Sequence, residues 1–284
     1  MTLKQHQTNP FTCAKTLTYF YTSVDLPYID WCKNNYSLIS LMNKVSVCIA
    51  TYNGEKYIKE QLDTILPQLN DDAEVIISDD SSTDNTLQIV NSYKDPRIVV
   101  LPNQKFRNPI FNFENALKHA QGDYIFLADQ DDIWMPDRLK KMIPFFKEYD
   151  LITCDCKVID DNLQVLKESF FSSIDGKTGF FRNLVKINPY IGCCMAFKRN
   201  VLEKALPFPK NIPMHDFWIA MVAEIFFKIK FIYEPLVMYR RHSSNSSFTA
   251  SESMNPFYKR VHFRVNLLKS LAVRLLRTSP RSGR

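Results

Sequence analysis

Apolar and polar positions come in blocks along the middle of the chain, and the block lengths separate strands from helices. Val45–Thr51 is a short, mostly apolar run, the signature of a strand buried on both faces. Glu55–Leu69 places Tyr57, Ile58, Leu62, Ile65, Leu66 and Leu69 at helical spacing. The alternation continues with a strand over Glu74–Ser78, then a helix over Thr83–Tyr93 that carries Leu87 and Val90 on one face. A strand over Arg97–Leu101, a helix over Phe111–Ala120 and a strand over Asp123–Ala128 follow. Gly122 stands where a helix C-cap would. A helix over Pro136–Tyr149 starts near its proline. Strands alternating with helices predict βαβ units, an α/β fold with a mostly parallel central sheet and helices on both faces.

Beyond Leu151 the alternation weakens. Leu151–Ile159, Ile191–Lys198 and Phe231–Tyr239 read as strands and Asp216–Phe227 as a helix. No internal repeat or low-complexity tract occurs. Residues 1–41 have scattered aromatics and no clear period. Met42 lies three residues before the first strand, as a natural start would. The expected organisation is therefore an N-terminal extension or loose arm over 1–43, an α/β domain over 44–254 and a basic amphipathic helix and tail over 255–284. In the tail, Phe257, Val261, Val265, Leu268, Leu271, Ala272 and Leu275 share one wide helical face.

Charge sharpens this division. The net charge is +6, yet eight of the 36 basic residues and no acid fall in 255–284, so the remainder holds 28 basic groups against 30 acids. The body is not basic, and a nucleic-acid partner is not expected. The tail reads as a membrane-surface helix, with docking on the α/β domain as the alternative.

The longest apolar stretch, Phe217–Phe227, has 11 residues and contains Glu224, too short to span a bilayer. The N-terminus lacks the basic-then-apolar pattern of a signal peptide. The seven cysteines are odd in number and include no C-x-x-C, and Cys193 and Cys194 are adjacent. Free thiols in a reducing cytosol are expected rather than a disulfide framework or a zinc site. The expected location is the cytoplasm, at the inner face of the membrane.

Ligands in open α/β sheets bind beyond the carboxyl ends of the strands. The first strand runs into Thr51-Tyr52-Asn53-Gly54, the second into Asp79-Asp80-Ser81-Ser82-Thr83-Asp84, and the fourth into Asp129-Gln130-Asp131-Asp132. Carboxylates crowded at the end of a buried strand repel unless a cation compensates. Hard oxygen ligands suit Mg²⁺ or Mn²⁺, which take further ligands from substrate phosphates. With only six glycines, the chain has no G-x-G-x-x-G and no G-K-[ST], which excludes the dinucleotide and P-loop readings.

The segments Val45–Gly54, Ile77–Asp84 and Ala120–Trp134, in that order, closely resemble the family 2 glycosyltransferases. Within them the D-Q-D-D-x-W run looks most like the bacterial rhamnosyltransferase-like branch. The resemblance covers about residues 44–245. It implies a GT-A (Rossmann-like nucleotide-diphosphosugar transferase) fold and inverting transfer of a sugar from a nucleotide diphosphosugar to a glycan or lipid-linked acceptor, with a divalent metal. It implies that Tyr52 lies near the base, that Asp79 reads the base's imide N–H, and that Asp80 supports that site. Asp131 with Asp129 would hold Mn²⁺ or Mg²⁺ on the diphosphate. Asp216, in His215-Asp216-Phe217-Trp218, would be the catalytic base, and His242 would approach the metal or diphosphate. Its neighbours Arg240 and Arg241 are further candidates for phosphate contact, as is Arg107. The donor is expected to be dTDP-L-rhamnose, with UDP-sugars as alternatives. A sugar nucleotidyltransferase and a catalytically silent nucleotide-sugar-binding protein are the competing functions.

Overall fold

The structure is a computed structural model that describes residues 44–174, 177–185, 188–242 and 257–278. The expected extension over 1–43 lies outside the described residues. The strands are β1 (Val45–Thr51), β2 (Glu74–Asp79), β3 (Ile98–Leu101), β4 (Tyr124–Asp129), β5 (Ile133–Trp134), β6 (Leu151–Ile159), β7 (Val165–Lys167), β8 (Met195–Lys198) and β9 (Ile229–Arg240). They form one sheet in the order β3-β2-β1-β4-β8-β6-β9-β5, with β7 added beside β6. The β1, β2, β3 and β4 pairings are parallel. β8 runs antiparallel to both β4 and β6, β6 and β9 are parallel, and β5 is antiparallel to β9.

The parallel half follows from its apolar strands. Val47, Ile49, Val75, Ile77, Ile125 and Leu127 are fully buried, and each such side chain contributes about 1.5–3 kcal/mol. Its crossover helices are α1 (Ile58–Ile65), α2 (Thr86–Ser92) and α3 (Pro109–His119). α1 buries Ile58, Leu62 and Ile65, the face the spacing predicts.

Two helices are shorter than their apolar pattern. The turn after α1 tightens into a 3₁₀ segment at Leu66–Gln68, which contains Pro67. The expected Pro136–Tyr149 helix becomes α4 (Arg138–Met142) and a 3₁₀ segment over Ile143–Lys147, which contains Pro144. Proline has no N–H for the α-helical ladder and crowds the preceding turn. Gly122 also differs from expectation. α3 is capped by Ala120 in extended conformation, and a Cβ on Gly122 would lie 2.6 Å from the Lys44 carbonyl oxygen and the Ser46 nitrogen. Close approach to β1, not a left-handed cap, requires glycine there.

In the second half, the expected strand over Ile191–Lys198 is β8 alone. Its first part is a 3₁₀ turn over Gly192–Cys194. The helices α5 (Phe171–Ile174), α6 (Phe180–Val185) and α7 (Arg199–Ala205) lead to α8 (His215–Phe226). α8 is almost wholly apolar and buried from Trp218 to Ala223. Cys48, Cys154, Cys156, Cys193 and Cys194 are free, buried thiols.

The last helix, α9 (Phe257–Thr278), docks by a stripe that shares only Leu271 with the expected one. Leu267 and Leu271 are buried. Arg264 Nε donates to the Leu184 carbonyl at 2.5 Å, and the Arg274 guanidinium donates to the Leu206 and Pro207 carbonyls at 2.5 and 2.7 Å. Of the predicted apolar face, Leu271 turns inward, whereas Val261, Val265, Leu268 and Leu275 stay exposed. Among the described residues, no helix is long and apolar enough to cross a membrane.

Candidate active site

β1, β2 and β4 are parallel neighbours, so their carboxyl ends open on one edge. A cleft of about 1210 Å³ lies there. Tyr52, Asp80, Asp129, Asp131, Asp216 and His242 all line it, drawn from positions up to the far end of the described domain. Asp79 does not. It is fully buried, and its carboxylate accepts from Thr51 Oγ1 at 2.8 Å, Ser82 N–H at 2.9 Å and Ser82 Oγ at 2.6 Å. Here Asp79 braces the turn that carries Asp80.

Asp80 reaches across to the segment after β3. It accepts from the Phe106 N–H at 2.6 Å and the Asn108 N–H at 3.3 Å. This anchors a loop whose Lys105 and Arg107 also line the cleft. Tyr52 is 57% exposed, and its backbone is clamped by Gln130. The Tyr52 N–H donates to Gln130 Oε1 at 2.9 Å, and Gln130 Nε2 donates back to the Tyr52 carbonyl at 3.1 Å. The amide inside the Asp-Gln-Asp-Asp run therefore ties the β1 turn to the β4 turn.

The acidic turn after β4 is built with help from β9. His242 Nε2 lies 2.7 Å from Asp131 Oδ2. The ring of His242 stacks on Tyr57 at 4.9 Å. Arg240 is buried, and it faces the turn rather than the cleft. Its N–H donates to Asp132 Oδ1 at 2.9 Å, its Nε donates to the Asp131 carbonyl at 2.8 Å, and its Nη2 pairs with Glu60 Oε2 at 2.5 Å. The expectation that Arg240 contacts phosphate is thus replaced by a bracing role. The partner Glu60 lies 180 positions away in sequence, so no local pattern announces it.

Burial, then the charges of Asp131 and Asp216, pushes the Asp129 carboxyl well above the usual range. Burial, then Asp131 and Asp129, does the same for Asp132. The Cys193 thiol and one oxygen each of Asp129 and Asp132 lie within 4.8 Å of one another. Asp129, Asp131 and Asp132 crowd the turn after β4, with His242 Nε2 on Asp131, and carboxyl groups crowded in this way suit a divalent cation. The residues fit the metal that the resemblance implies.

Asp216 sits in the first turn of α8, where the helix dipole favours a carboxylate. It is 7% exposed. The Phe217 N–H donates to its Oδ1 at 2.5 Å and the Gly192 N–H to its Oδ2 at 3.2 Å. Burial raises its pKa to about 6 despite these two donors. His215 beside it is buried and stacked on Phe113, ring centroids 4.1 Å apart.

A nine-stranded sheet whose parallel half opens into an acidic cleft, completed by a mixed half that supplies the opposite wall, is the GT-A arrangement of nucleotide-diphosphosugar transferases. TarS of S. aureus shares it. That crystal structure superposes with a TM-score of 0.56 at 26% identity, over 69% of this chain and 60% of that chain. The sequence pattern of Glycosyl transferase family 2 matches residues 46–206. An uncharacterized glycosyltransferase of Methanocaldococcus jannaschii is 32% identical over 208 residues, 69% of this chain and 70% of its own. The dTDP-rhamnosyl transferase RfbG of Shigella flexneri is 30% identical over 228 residues, 75% of this chain and 78% of its own. The chain belongs to glycosyltransferase family 2.

Proposed function

We propose that this glycosyltransferase is an inverting, divalent-metal-dependent enzyme of cell-surface polysaccharide synthesis. It moves a sugar from a nucleotide diphosphosugar to a hydroxyl of a glycan or lipid-linked acceptor. The observation that carries the reading is one cleft shared by a base-type carboxylate, Asp216, and a cation-type cluster, Asp129, Asp131 and His242.

Asp216 takes the proton of the acceptor hydroxyl as that oxygen attacks the anomeric carbon from the face opposite the diphosphate. The bond from the anomeric carbon to the diphosphate breaks, and its electron pair leaves with the nucleotide. A pKa of about 6 leaves Asp216 ionised at neutral pH yet able to accept a proton. Asp129, Asp131 and His242 hold Mn²⁺ or Mg²⁺. When bound, such an ion supplies Lewis-acid stabilisation of the charge on the departing diphosphate. Lys105 and Arg107 line the same cleft and add cationic donors for phosphate. The exposed ring of Tyr52 offers a face to the nucleobase, while Asp79 and Asp80 hold the turn and loop around it.

The similarity to a dTDP-rhamnosyl transferase makes dTDP-L-rhamnose the first donor to test. With Mn²⁺, dTDP-L-rhamnose is expected to raise the melting temperature more than UDP-glucose or UDP-N-acetylglucosamine. A ligand at about 100 times its Kd adds about 2.7 kcal/mol to stability. A rise with a UDP-sugar alone would reassign the donor. No rise with any nucleotide diphosphosugar would overturn donor binding. A rise without consumption of the sugar nucleotide would favour the catalytically silent alternative.

α9 is further proposed to hold the enzyme on the cytoplasmic membrane face. Beside its docked stripe, Val261, Val265, Leu268 and Leu276 are exposed, an apolar strip that Lys269 borders on the same α-helix. The double substitution Val265→Asp and Leu268→Asp leaves Leu267 and Leu271 in place. It is expected to release the protein from vesicles of anionic phospholipid in co-sedimentation, with unchanged melting temperature. Undiminished binding by the folded variant would refute the role of α9.

A further inference from the structure

His215 is a buried polar group with nothing to bond to among the described residues. It is 3% exposed, and neither Nδ1 nor Nε2 has a hydrogen-bond partner among the described residues. Buried polar atoms are nearly always satisfied, and a neutral imidazole brings one donor and one acceptor that both need partners. Burial keeps this ring neutral, with its pKa pushed down to about 3. Packing alone does not explain the choice of residue. The ring lies flat on Phe113, a place that phenylalanine or leucine would fill without stranding two nitrogens.

Gly192 shows where the missing partner sits. A Cβ built on Gly192 would lie 3.1 Å from His215 Nε2, 3.5 Å from Asp216 Cβ and 3.9 Å from Asp216 Oδ2. The absent side chain leaves a space bordered by the imidazole and by the carboxylate proposed as the base. Gly192, His215 and Asp216 all line the cleft. A group that enters this space meets Nε2 and Oδ2 together.

We propose that His215 is an acceptor-binding residue, whose neutral imidazole bonds a hydroxyl of an acceptor sugar seated over Gly192 and thereby aligns the attacking oxygen with Asp216. This deepens, and rests on, the assignment of Asp216 as the base. It also specifies the acceptor's reacting end as a sugar ring rather than a lone alcohol or a lipid phosphate. A hydroxyl can both donate and accept, so it satisfies whichever tautomer the ring adopts.

The test separates acceptor effects from donor effects. The probes are octyl glycosides of glucose, N-acetylglucosamine and rhamnose, with dTDP-L-rhamnose and UDP-glucose as donors. His215→Phe keeps the stack on Phe113, and Gly192→Ala fills the seat while keeping the N–H that holds Asp216. Both variants are expected to retain the melting shift with donor and Mn²⁺. Both are expected to lose about 10–100-fold in kcat/KM for the glycoside, the range for leaving a substrate polar group unpaired. His215→Gln, which keeps a donor and an acceptor, should recover part of that loss. In wild-type protein labelled with ¹⁵N-histidine, saturating glycoside should move the ring resonances of His215, and the donor alone should not. If none of the glycosides moves those resonances, or if His215→Phe keeps the wild-type kcat/KM for a glycoside, the proposal is overturned. Loss of donor hydrolysis in wild type would instead strike the proposed reaction itself.

Discussion

Asp216→Asn is expected to bind donor as the wild type does and to lose transfer by about 10²–10⁴-fold, the usual contribution of a positioned general base. The amide is nearly isosteric, and its one oxygen can keep the shorter bond from the Phe217 N–H, while the longer bond from the Gly192 N–H is lost. The fold of the α8 start is therefore retained, and the loss reports the chemistry. Melting with donor and single-turnover transfer, measured side by side, check the two halves of this expectation. Wild-type turnover by the variant would reduce Asp216 to a helix-start carboxylate and place the base elsewhere.

The pH dependence follows from the same group. Its pKa stands near 6 in the folded protein, above the ordinary carboxylate value of 3.8. Activity needs the ionised form, so kcat is expected to fall as pH drops through 6. Stability runs the other way. The penalty for burying this charge is present in full above pH 6 and is relieved as pH falls through 6 toward 3.8. A decline in kcat that follows loss of folded protein, rather than preceding it, would argue against this assignment.

Removal of divalent metal is the second large effect. Treatment with EDTA is expected to reduce transfer by at least about 10²–10³-fold, because Lewis-acid stabilisation of the leaving group is worth several kcal/mol. Readdition of Mn²⁺ or Mg²⁺ should restore it. Asp131→Asn removes the carboxylate 2.7 Å from His242 while Arg240 still reaches the backbone carbonyl at this position and Asp132. The turn should survive, and the Mn²⁺ concentration needed for half-maximal activity should rise by about tenfold or more, since one charged ligand is lost. Full activity in EDTA would mark a metal-independent enzyme, in which Lys105 and Arg107 alone meet the diphosphate.

Much of this site was legible because its chemistry stands directly after apolar strands. Thr51-Tyr52, Asp79-Asp80 and Asp129-x-Asp131 each follow a run whose burial the pattern predicts, and strand pairing then brings their ends to one edge. The local sequence does not say which way a side chain turns once there. Asp79 and Asp80 are adjacent, yet Asp79 bonds beneath the turn and Asp80 bonds across to the Asn108 loop. Arg240 reads as a phosphate ligand by its type, but Glu60 and the β4 turn claim it.

Gln130 belongs to the D-Q-D-D-x-W run, but its clamp has no local signal, since its two bonds are to the backbone of Tyr52. Gly192 and Cys193 read as small residues of a buried strand, whereas they form a tight turn against Asp216 and the acidic cluster. In α9 the apolar pattern is wide enough to admit two stripes, and only the tertiary fit selects Leu267 and Leu271 for docking. These misses share one cause. Each depends on a partner far away in sequence, which periodicity cannot report.

The central claim is single-displacement sugar transfer from a nucleotide diphosphosugar at the Asp216 cleft. It is tested most directly by time-resolved proton NMR of the first sugar product formed from dTDP-L-rhamnose, or from whichever nucleotide diphosphosugar raises the melting temperature, with Mn²⁺ present. The product, whether glycoside or free sugar from slow hydrolysis, is expected to appear first with anomeric configuration opposite to that of the donor. Initial formation of the retained anomer would contradict a base-assisted displacement by Asp216.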